Sequence, residues 1–429
     1  MRALPRRGGE QAVLVGVLLP GEPPSHGDPL DELGLLAKTA GVKEAARLVQ
    51  RRRRPDASTF LGSGKAKEIA ALAQEKQAEV VIFDVDLAPA QIRNLEKILG
   101  VRVVDRTELI LDIFALHART HQAKLQVELA QAQYLLPRLR RMWTHLSREV
   151  GLGAQAGVGM RGPGEKQIEI DRRILNRKID ELRHELKTIA DRRKRLAQSR
   201  APYFTVSLVG YTNAGKSTLL RALTGADAYV ADQLFATLDT QTRAWTLPGK
   251  KQVFLSDTVG FLRHLPHHLV ASFYATLEEV RSADLILHVV DGAHPDARLQ
   301  VEAVEEVLRE IDAGETPRIV VVNKIDRAKD RLDLLAAAAG HPESVQVSAL
   351  TGEGLDRLAK CVERRILEGQ KEAEFRVPAG AGKMLAWLAD RGTVLARTYE
   401  DGMVAVRVRM TEADLSRARR MAEDLDREA

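Results

Sequence analysis

Aromatic residues make up only 4% of this 429-residue chain, and there is one cysteine, Cys361. A single thiol excludes a disulfide scaffold and fits a reducing compartment; in its helical stretch it reads as a buried spectator. No run approaches the ~20 apolar residues needed to span a bilayer, which excludes membrane insertion. The N-terminus lacks a secretory apolar core with a cleavage site, so a cytoplasmic location is expected. The 45% hydrophobic content suffices for several cores. No unpaired apolar seam stands out, and a monomer is the default.

What is present is dominated by one stretch. Gly210-Tyr211-Thr212-Asn213-Ala214-Gly215-Lys216-Ser217 has the spacing of a phosphate-binding loop. The apolar run from Phe204 to Val209 predicts a buried strand, and Lys216 to Leu223, including Thr218, predicts the helix it feeds. Phosphates at that helix start would meet the backbone N–H groups of residues 213 to 217. Gly210 and Gly215 allow the close turn, and Lys216 reaches the β- and γ-phosphates. Ser217 would hold Mg²⁺ through its hydroxyl.

Three companion motifs follow in the order a guanine-nucleotide switch requires. In Asp257-Thr258-Val259-Gly260, at the end of a strand from Gln252 to Ser256, Asp257 would support Mg²⁺ through water and Gly260 N–H would sense the γ-phosphate. Asn323-Lys324-Ile325-Asp326 ends a strand from Arg318 to Val322. The Asp326 carboxylate accepts both the ring N–H and the exocyclic amine of guanine, a donor pair that adenine lacks. Lys324 would lie over the base, and the N–H of Ala349, within Ser348-Ala349-Leu350, would donate to guanine O6. Four such motifs within about 140 residues leave little room for coincidence. GTP and GDP, not ATP, are the expected ligands, and the chain is expected to be a GTPase.

Between the phosphate loop and Asp257 lies a hydroxyl-rich segment, residues 234 to 242. Thr237 is the threonine expected to close on Mg²⁺ and the γ-phosphate, with Thr240 and Thr242 as competitors. Lys216, Thr237 and Gly260 are thus the expected catalytic groups, and Ser217, Thr237 and Asp257 the expected metal ligands. The residue after Gly260 is Phe261, where Ras-type GTPases commonly carry a water-orienting glutamine. A benzyl group cannot do that work, so intrinsic hydrolysis should be slow, or use an unidentified group, and a macromolecular partner is expected to complete the site. His264, His267 and His268 lie nearby but read more simply as surface residues.

The net charge of +6 is concentrated: residues 121 to 200 hold 18 Lys/Arg against 9 Asp/Glu, a footprint suited to phosphate backbones. With so few aromatics, shape or backbone recognition fits better than base stacking. Leu125, Leu129, Ala132, Leu136, Leu139, Trp143 and Leu146 form one heptad seam. Ile168, Leu175, Ile179, Leu182, Leu186, Ile189 and Leu196 form another, so two long helices in an antiparallel hairpin are expected, the first kinked or split at Pro137. The glycine-rich run 151 to 164 joins them. It reads either as a flexible linker or as a backbone tip that approaches RNA closely. The RNA-facing candidates are Gly157, Gly159, Arg161, Gly162, Gly164 and Lys166 at the tip, with Arg138, Arg140, Arg141, Arg172 and Arg173 near its base.

Residues 1 to 110 read as an α/β domain with strands near Ala12–Leu19, Val80–Asp84 and Val101–Val104 and helices near Lys65–Lys76 and Pro89–Leu99. Gly62-Ser63-Gly64-Lys65 lacks Walker spacing and reads as a helix-opening turn. The run Arg51 to Arg54 is either part of a basic surface or an exposed sheet edge. Residues 369 to 429 predict a small α+β domain with no apparent chemistry, a docking surface or brace. The expected class is therefore multidomain α/β. Its parts are the N-terminal α/β domain, the hairpin (111–200), a Ras-like P-loop G domain of mostly parallel sheet with helices on both faces (201–368), and the C-terminal domain.

The run Gly157-Val158-Gly159-Met160-Arg161-Gly162-Pro163-Gly164-Glu165-Lys166-Gln167, together with residues 232 to 239 and Asp257-Thr258-Val259-Gly260-Phe261, resembles the HflX GTPases over about residues 10 to 370. Members of that family also lack the usual glutamine. The resemblance implies a cytoplasmic GTPase that binds the large ribosomal subunit and its 23S-type rRNA and, with GTP, separates stalled or idle ribosomes under stress. It also implies that the 151–164 tip enters the rRNA of the peptidyl-transferase region. In some members the N-terminal domain is said to bind ATP or act on RNA structure. From the residues alone, a large-subunit assembly checkpoint and a non-ribosomal regulator of a protein partner stay open.

Overall fold

The structure, a computed structural model, describes residues 9–21, 27–139, 163–200, 204–225, 234–235, 241–263, 274–328, 343–368 and 370–428. The N-terminal sheet is fully parallel, in the order β2-β1-β3-β4, with β1 Gln11–Leu18, β2 Lys43–Arg51, β3 Val80–Phe83 and β4 Arg102–Val104. β1 is apolar throughout because both its faces are covered. Val13, Val15 and Val17 pack with Ile69 and Ile92 of the helices Ser63–Glu75 and Pro89–Leu99. Ala12 and Leu14 pack with Leu33, Leu36, Ile110 and Phe114 of the helices Asp31–Thr39 and Arg106–His117. That second cluster does not stop at the domain edge; it continues into Tyr211, Phe235, Phe261 and Leu262.

β2 and the helix Asp31–Thr39 were not foreseen from sequence. β2 is a sheet edge that carries Lys43, Glu44, Arg47 and Arg51 among its nine residues, so no apolar alternation marks it. Gly62 caps the helix Ser63–Glu75, and Lys65 pairs with Glu68 at 2.8 Å, in keeping with the helix-opening reading.

The hairpin pairs His121–Leu135 with the 38-residue helix Pro163–Arg200. Leu125, Leu129 and Ala132 meet Ile179 and Leu182, flanked by Leu175, Leu186 and Ile189. The pairs Glu128–Lys178 at 3.1 Å and His121–Glu185 at 2.9 Å establish the antiparallel sense. Pro137 splits the first helix as expected: the α-helix ends at Leu135 and a 3₁₀ turn, Leu136–Arg138, follows. Trp143, Leu146 and the 151–162 part of the tip lie outside the described residues.

The G domain has six strands in the order β10-β9-β8-β5-β7-β6: β5 Thr205–Gly210, β6 Gln241–Thr246, β7 Gln252–Asp257, β8 Leu285–Asp291, β9 Arg318–Asn323 and β10 Ser344–Gln346. All pairs are parallel except β6 with β7. β5 is central, flanked by β7 on one side and β8 on the other, so the loop that follows it opens at the point where strand order reverses, where such sheets bind ligands. The C-terminal unit is an antiparallel sheet in the order β11-β13-β12, with β11 Gln370–Pro378, β12 Thr393–Glu400 and β13 Met403–Thr411. Asp401 and Gly402, both at positive φ, make the two-residue turn of its hairpin. Among the described residues no helix is long and apolar enough to cross a membrane.

Candidate functional site

The loop after β5 is built from close backbone approaches that only glycine permits. A Cβ on Gly210 would lie 2.1 Å from the Val289 carbonyl oxygen, and one on Gly215, at φ +94°, would lie 2.3 Å from Asn323 Nδ2. Asn213 also takes a left-handed φ of 60°, so the chain turns tightly before the helix Lys216–Thr224 begins. The Lys216 ammonium is buried and donates to the carbonyls of Gly210, at 3.0 Å, and Tyr211, at 2.8 Å. Burial pushes its pKa down to about 8; Asp257 opposes that shift and Lys324 adds to it.

The Asp257-to-Gly260 motif lies directly against this loop. Ser217 Oγ donates to Asp257 Oδ2 at 2.6 Å. Two hard oxygen donors side by side at a phosphate-facing helix start suit Mg²⁺, which takes its remaining ligands from phosphate and water. Among the described residues no cluster of three or more His, Cys, Asp or Glu offers an alternative metal site. Thr212 N–H donates to the Phe261 carbonyl at 2.8 Å and Phe261 N–H donates to the Gly210 carbonyl at 3.1 Å, so the two segments are joined as a short parallel bridge. A Cβ on Gly260 would meet Thr212 Cα at 2.8 Å and Lys216 Nζ at 3.1 Å. Only a bare peptide fits there, which suits an N–H that would face a γ-phosphate. Thr258 and Val259 support this from behind: Thr258 Oγ1 donates to the Leu208 carbonyl at 2.7 Å, and Val259 packs in the core.

Phe261 is buried in the apolar cluster shared with the N-terminal domain. Thr242 is removed as a competitor to Thr237, because it belongs to β6 and its hydroxyl pairs with Ser256 Oγ at 3.0 Å. Thr237, Thr240, His264, His267 and His268 lie outside the described residues.

One side chain joins the phosphate loop to the loop expected to meet the base. Asn323 Nδ2 donates to the Ala214 carbonyl at 2.9 Å, while its Oδ1 accepts from Ala349 N–H at 3.0 Å, tying the phosphate loop to the Ser348 loop. The Ala349 N–H expected on guanine O6 is therefore engaged with Asn323 in this geometry. Ser348 Oγ donates to Asp326 Oδ1 at 2.5 Å, orienting the carboxylate, and Leu350 extends its side chain into solvent. Lys324, at φ 63°, pairs with Asp291 at 2.7 Å. Asp291 was missed in the sequence reading. Its signal was present as an apolar strand, Leu285 to Val290, that ends in Asp-Gly.

The basic residues expected on RNA divide into different classes. Arg138 is turned inward: it pairs with Asp105 at 3.1 Å, donates to the Leu87 carbonyl at 3.0 Å and stacks on the Tyr134 ring at 3.6 Å. Burial raises the Asp105 carboxyl to about 6 against the pull of Arg138. Arg138 is thus corrected from an RNA-facing group to a brace at the hairpin base, since its charge serves a buried carboxylate. Arg172 and Arg173 are exposed on the long helix, with Arg173 pairing loosely with Glu169 at 2.9 Å. Arg140, Arg141, Gly157, Gly159, Arg161 and Gly162 lie outside the described residues; Gly164 and Lys166 fall in the first turn of that helix.

A central strand, a glycine-framed loop, a lysine-headed helix, and Asp257 and Asn323 at neighbouring strand ends define a P-loop GTPase. Family models match the chain in four consecutive stretches. They are GTP-binding GTPase N-terminal at 27–115, GTP-binding GTPase middle region at 117–200, 50S ribosome-binding GTPase at 205–324, and HflX C-terminal domain at 333–428. The GTPase HflX of Escherichia coli (strain K12) is 45% identical over 415 residues, 95% of each chain. The GTPase HflX of Caldanaerobacter subterraneus subsp. tengcongensis is 42% identical over 406 residues, 94% of this chain and 91% of the relative. The crystal structure of a GTP-binding protein from Sulfolobus solfataricus in complex with GDP aligns at 24% identity with a TM-score of 0.43, covering 83% of this chain and 98% of that one. The chain belongs to the HflX family of GTPases.

Two outcomes follow from this geometry. Phosphate should raise the Lys216 pKa above its value near 8, so binding takes up a proton and weakens as pH climbs through 8. From the protonated fraction, affinity for GDP should drop about fourfold between pH 7 and 8.5 by calorimetric titration; a flat profile contradicts the assignment. Asp326→Asn exchanges one acceptor for a donor. It should lower GDP affinity by roughly 30- to 150-fold, from ~2–3 kcal/mol of charge-assisted bonding, and improve binding of xanthosine diphosphate, which carries a carbonyl in place of the amine. Unchanged base preference in a fluorescent-nucleotide competition would remove Asp326 from the base site.

Proposed function

We propose that this GTPase works on ribosomes from the cytoplasm, as a monomer with Mg²⁺ at Ser217 and Asp257. In this reading it binds the large subunit through 23S-type rRNA and, with GTP, separates stalled or idle ribosomes into subunits under stress. The observation that carries the reading is the joining of two parts in one body. A long basic hairpin stands on the same N-terminal domain whose apolar face receives Tyr211, Phe235 and Phe261 of the nucleotide site. The family model described as a 50S ribosome-binding GTPase, matched across the G domain, supports the partner.

The mechanism is a cycle of differential affinity. GTP, contacted by Gly260 and Thr237, favours the conformation that holds the particle tightly. That affinity difference opposes subunit association, and hydrolysis then lowers affinity and releases the factor. Within the site, Lys216 and the loop N–H groups bind and orient the phosphates. Ser217 and Asp257 would hold Mg²⁺, which would supply neutralisation of the phosphate charge. Phe261 supplies no polar group to the attacking water, so the particle is expected to complete that function.

Deletion of residues 151–164 is the direct test of the RNA contact. The deletion should leave GDP affinity and turnover by the isolated protein unchanged, abolish co-sedimentation with large subunits and remove their stimulation of turnover. For the intact protein, binding to large subunits should weaken steeply between 50 and 200 mM salt, by at least tenfold if several phosphates are contacted, measured by pelleting. Full particle binding by the deletion variant, or salt-independent binding by the intact chain, would contradict the RNA-tip reading.

A further inference from the structure

Where the N-terminal domain meets the nucleotide site, the contact is partly a ring of directional hydrogen bonds around one buried arginine. Arg106 opens the helix Arg106–His117 at the C-terminal end of the parallel sheet and is only 3% exposed. Its guanidinium pairs with Glu32 and with Asp84, and also donates to the Arg263 carbonyl at 3.0 Å. Glu32 accepts from the hydroxyl of Tyr211, and that same hydroxyl accepts from the Arg263 N–H at 2.9 Å. Both backbone groups of Arg263 are therefore held, one by Arg106 and one by Tyr211. Burial, then the Glu32 charge, pushes the Tyr211 hydroxyl well above its ordinary range, so it is a donor to Glu32 at every physiological pH.

The two G-domain members of this ring lie on the two segments expected to face the γ-phosphate. Tyr211 is the second residue of the phosphate loop, and its carbonyl holds Lys216 Nζ. Arg263 lies three residues beyond Gly260 on a segment already bridged to that loop through Phe261. A few paces away, Phe235 sits two residues before Thr237, at a left-handed φ of 56°, with its ring edge-to-face on Phe114 of the N-terminal domain at 4.6 Å. An apolar interface alone would dock the two domains. A buried cation paired with two carboxylates and a backbone carbonyl adds geometric specificity, because loss of one partner leaves uncompensated charge.

We propose that Glu32 and Arg106 are positioning residues for GTP hydrolysis, which hold the phosphate loop and the Gly260 peptide in the geometry that receives a γ-phosphate. They touch no nucleotide themselves and act through Tyr211 and Arg263. GDP, which has no γ-phosphate, is indifferent to them. By reciprocity, GTP strengthens the seat of the N-terminal domain on the G domain.

The test uses the full-length protein with Glu32→Gln, Tyr211→Phe and the double variant. The readouts are affinity for GDP, affinity for a non-hydrolysable GTP analogue, and single-turnover hydrolysis. Each single variant should keep GDP affinity within about twofold, while analogue affinity and the hydrolysis rate fall about five- to tenfold. The double variant should fall no further than the worse single, because both changes break one ring. A lower thermal midpoint with an unchanged GTP-to-GDP affinity ratio and rate would reduce the ring to a structural brace and overturn the proposal; so would losses that simply add. Tyr211→Phe removes one oxygen and keeps the phenyl group packed, so it carries the test if Glu32→Gln does not fold.

Discussion

Two backbone hydrogen bonds, Thr212 N–H to the Phe261 carbonyl and Phe261 N–H to the Gly210 carbonyl, hold the site together. They make the phosphate loop and the Asp257-to-Gly260 segment behave as one surface. Lys216 then lies against Gly260 and Ser217 against Asp257, although each pair is forty or more positions apart in the chain. The glycines follow from that constraint, because the Val289 carbonyl and the Asn323 amide leave no space for a Cβ at Gly210 or Gly215. Asn323 extends the same logic to the base side by joining Ala214 to Ala349.

Phe261 turns an apparent deficit into a structural contribution. Where Ras-type GTPases commonly carry a water-orienting glutamine, the phenyl ring lies in the apolar cluster that runs from the N-terminal sheet through Phe114 to Phe235 and Leu262. The side chain that could have aided hydrolysis serves domain docking. Slow hydrolysis by the isolated protein is the expected companion of that placement. The hairpin rises from that domain: its first helix packs Ala123, Val127, Ala130 and Tyr134 into the same cluster, and Arg138 fixes the hairpin base on Asp105.

The G motifs were legible because each demands particular atoms at fixed spacing, and the strands carrying them are continuous apolar runs. The hairpin was legible from its heptads, and its break from Pro137. β2 was not, since its charged edge composition imitates a surface loop. Arg138 was misassigned because composition counts charges without showing which are already paired. The Arg106 ring was invisible for a different reason: its bonds join positions 74 and 157 residues apart, and no local pattern encodes them. Thr242 shows the converse limit, a hydroxyl of the right type in the right stretch that a β-ladder had already taken.

The central claim is that GTP-dependent affinity for the particle is used as work against subunit association. Sedimentation of purified intact ribosomes incubated with the full-length protein tests it most directly, with GTP in one arm and GDP in the other. The account predicts conversion to free subunits with GTP alone. Ribosomes that stay intact while GTP turnover is stimulated would contradict it.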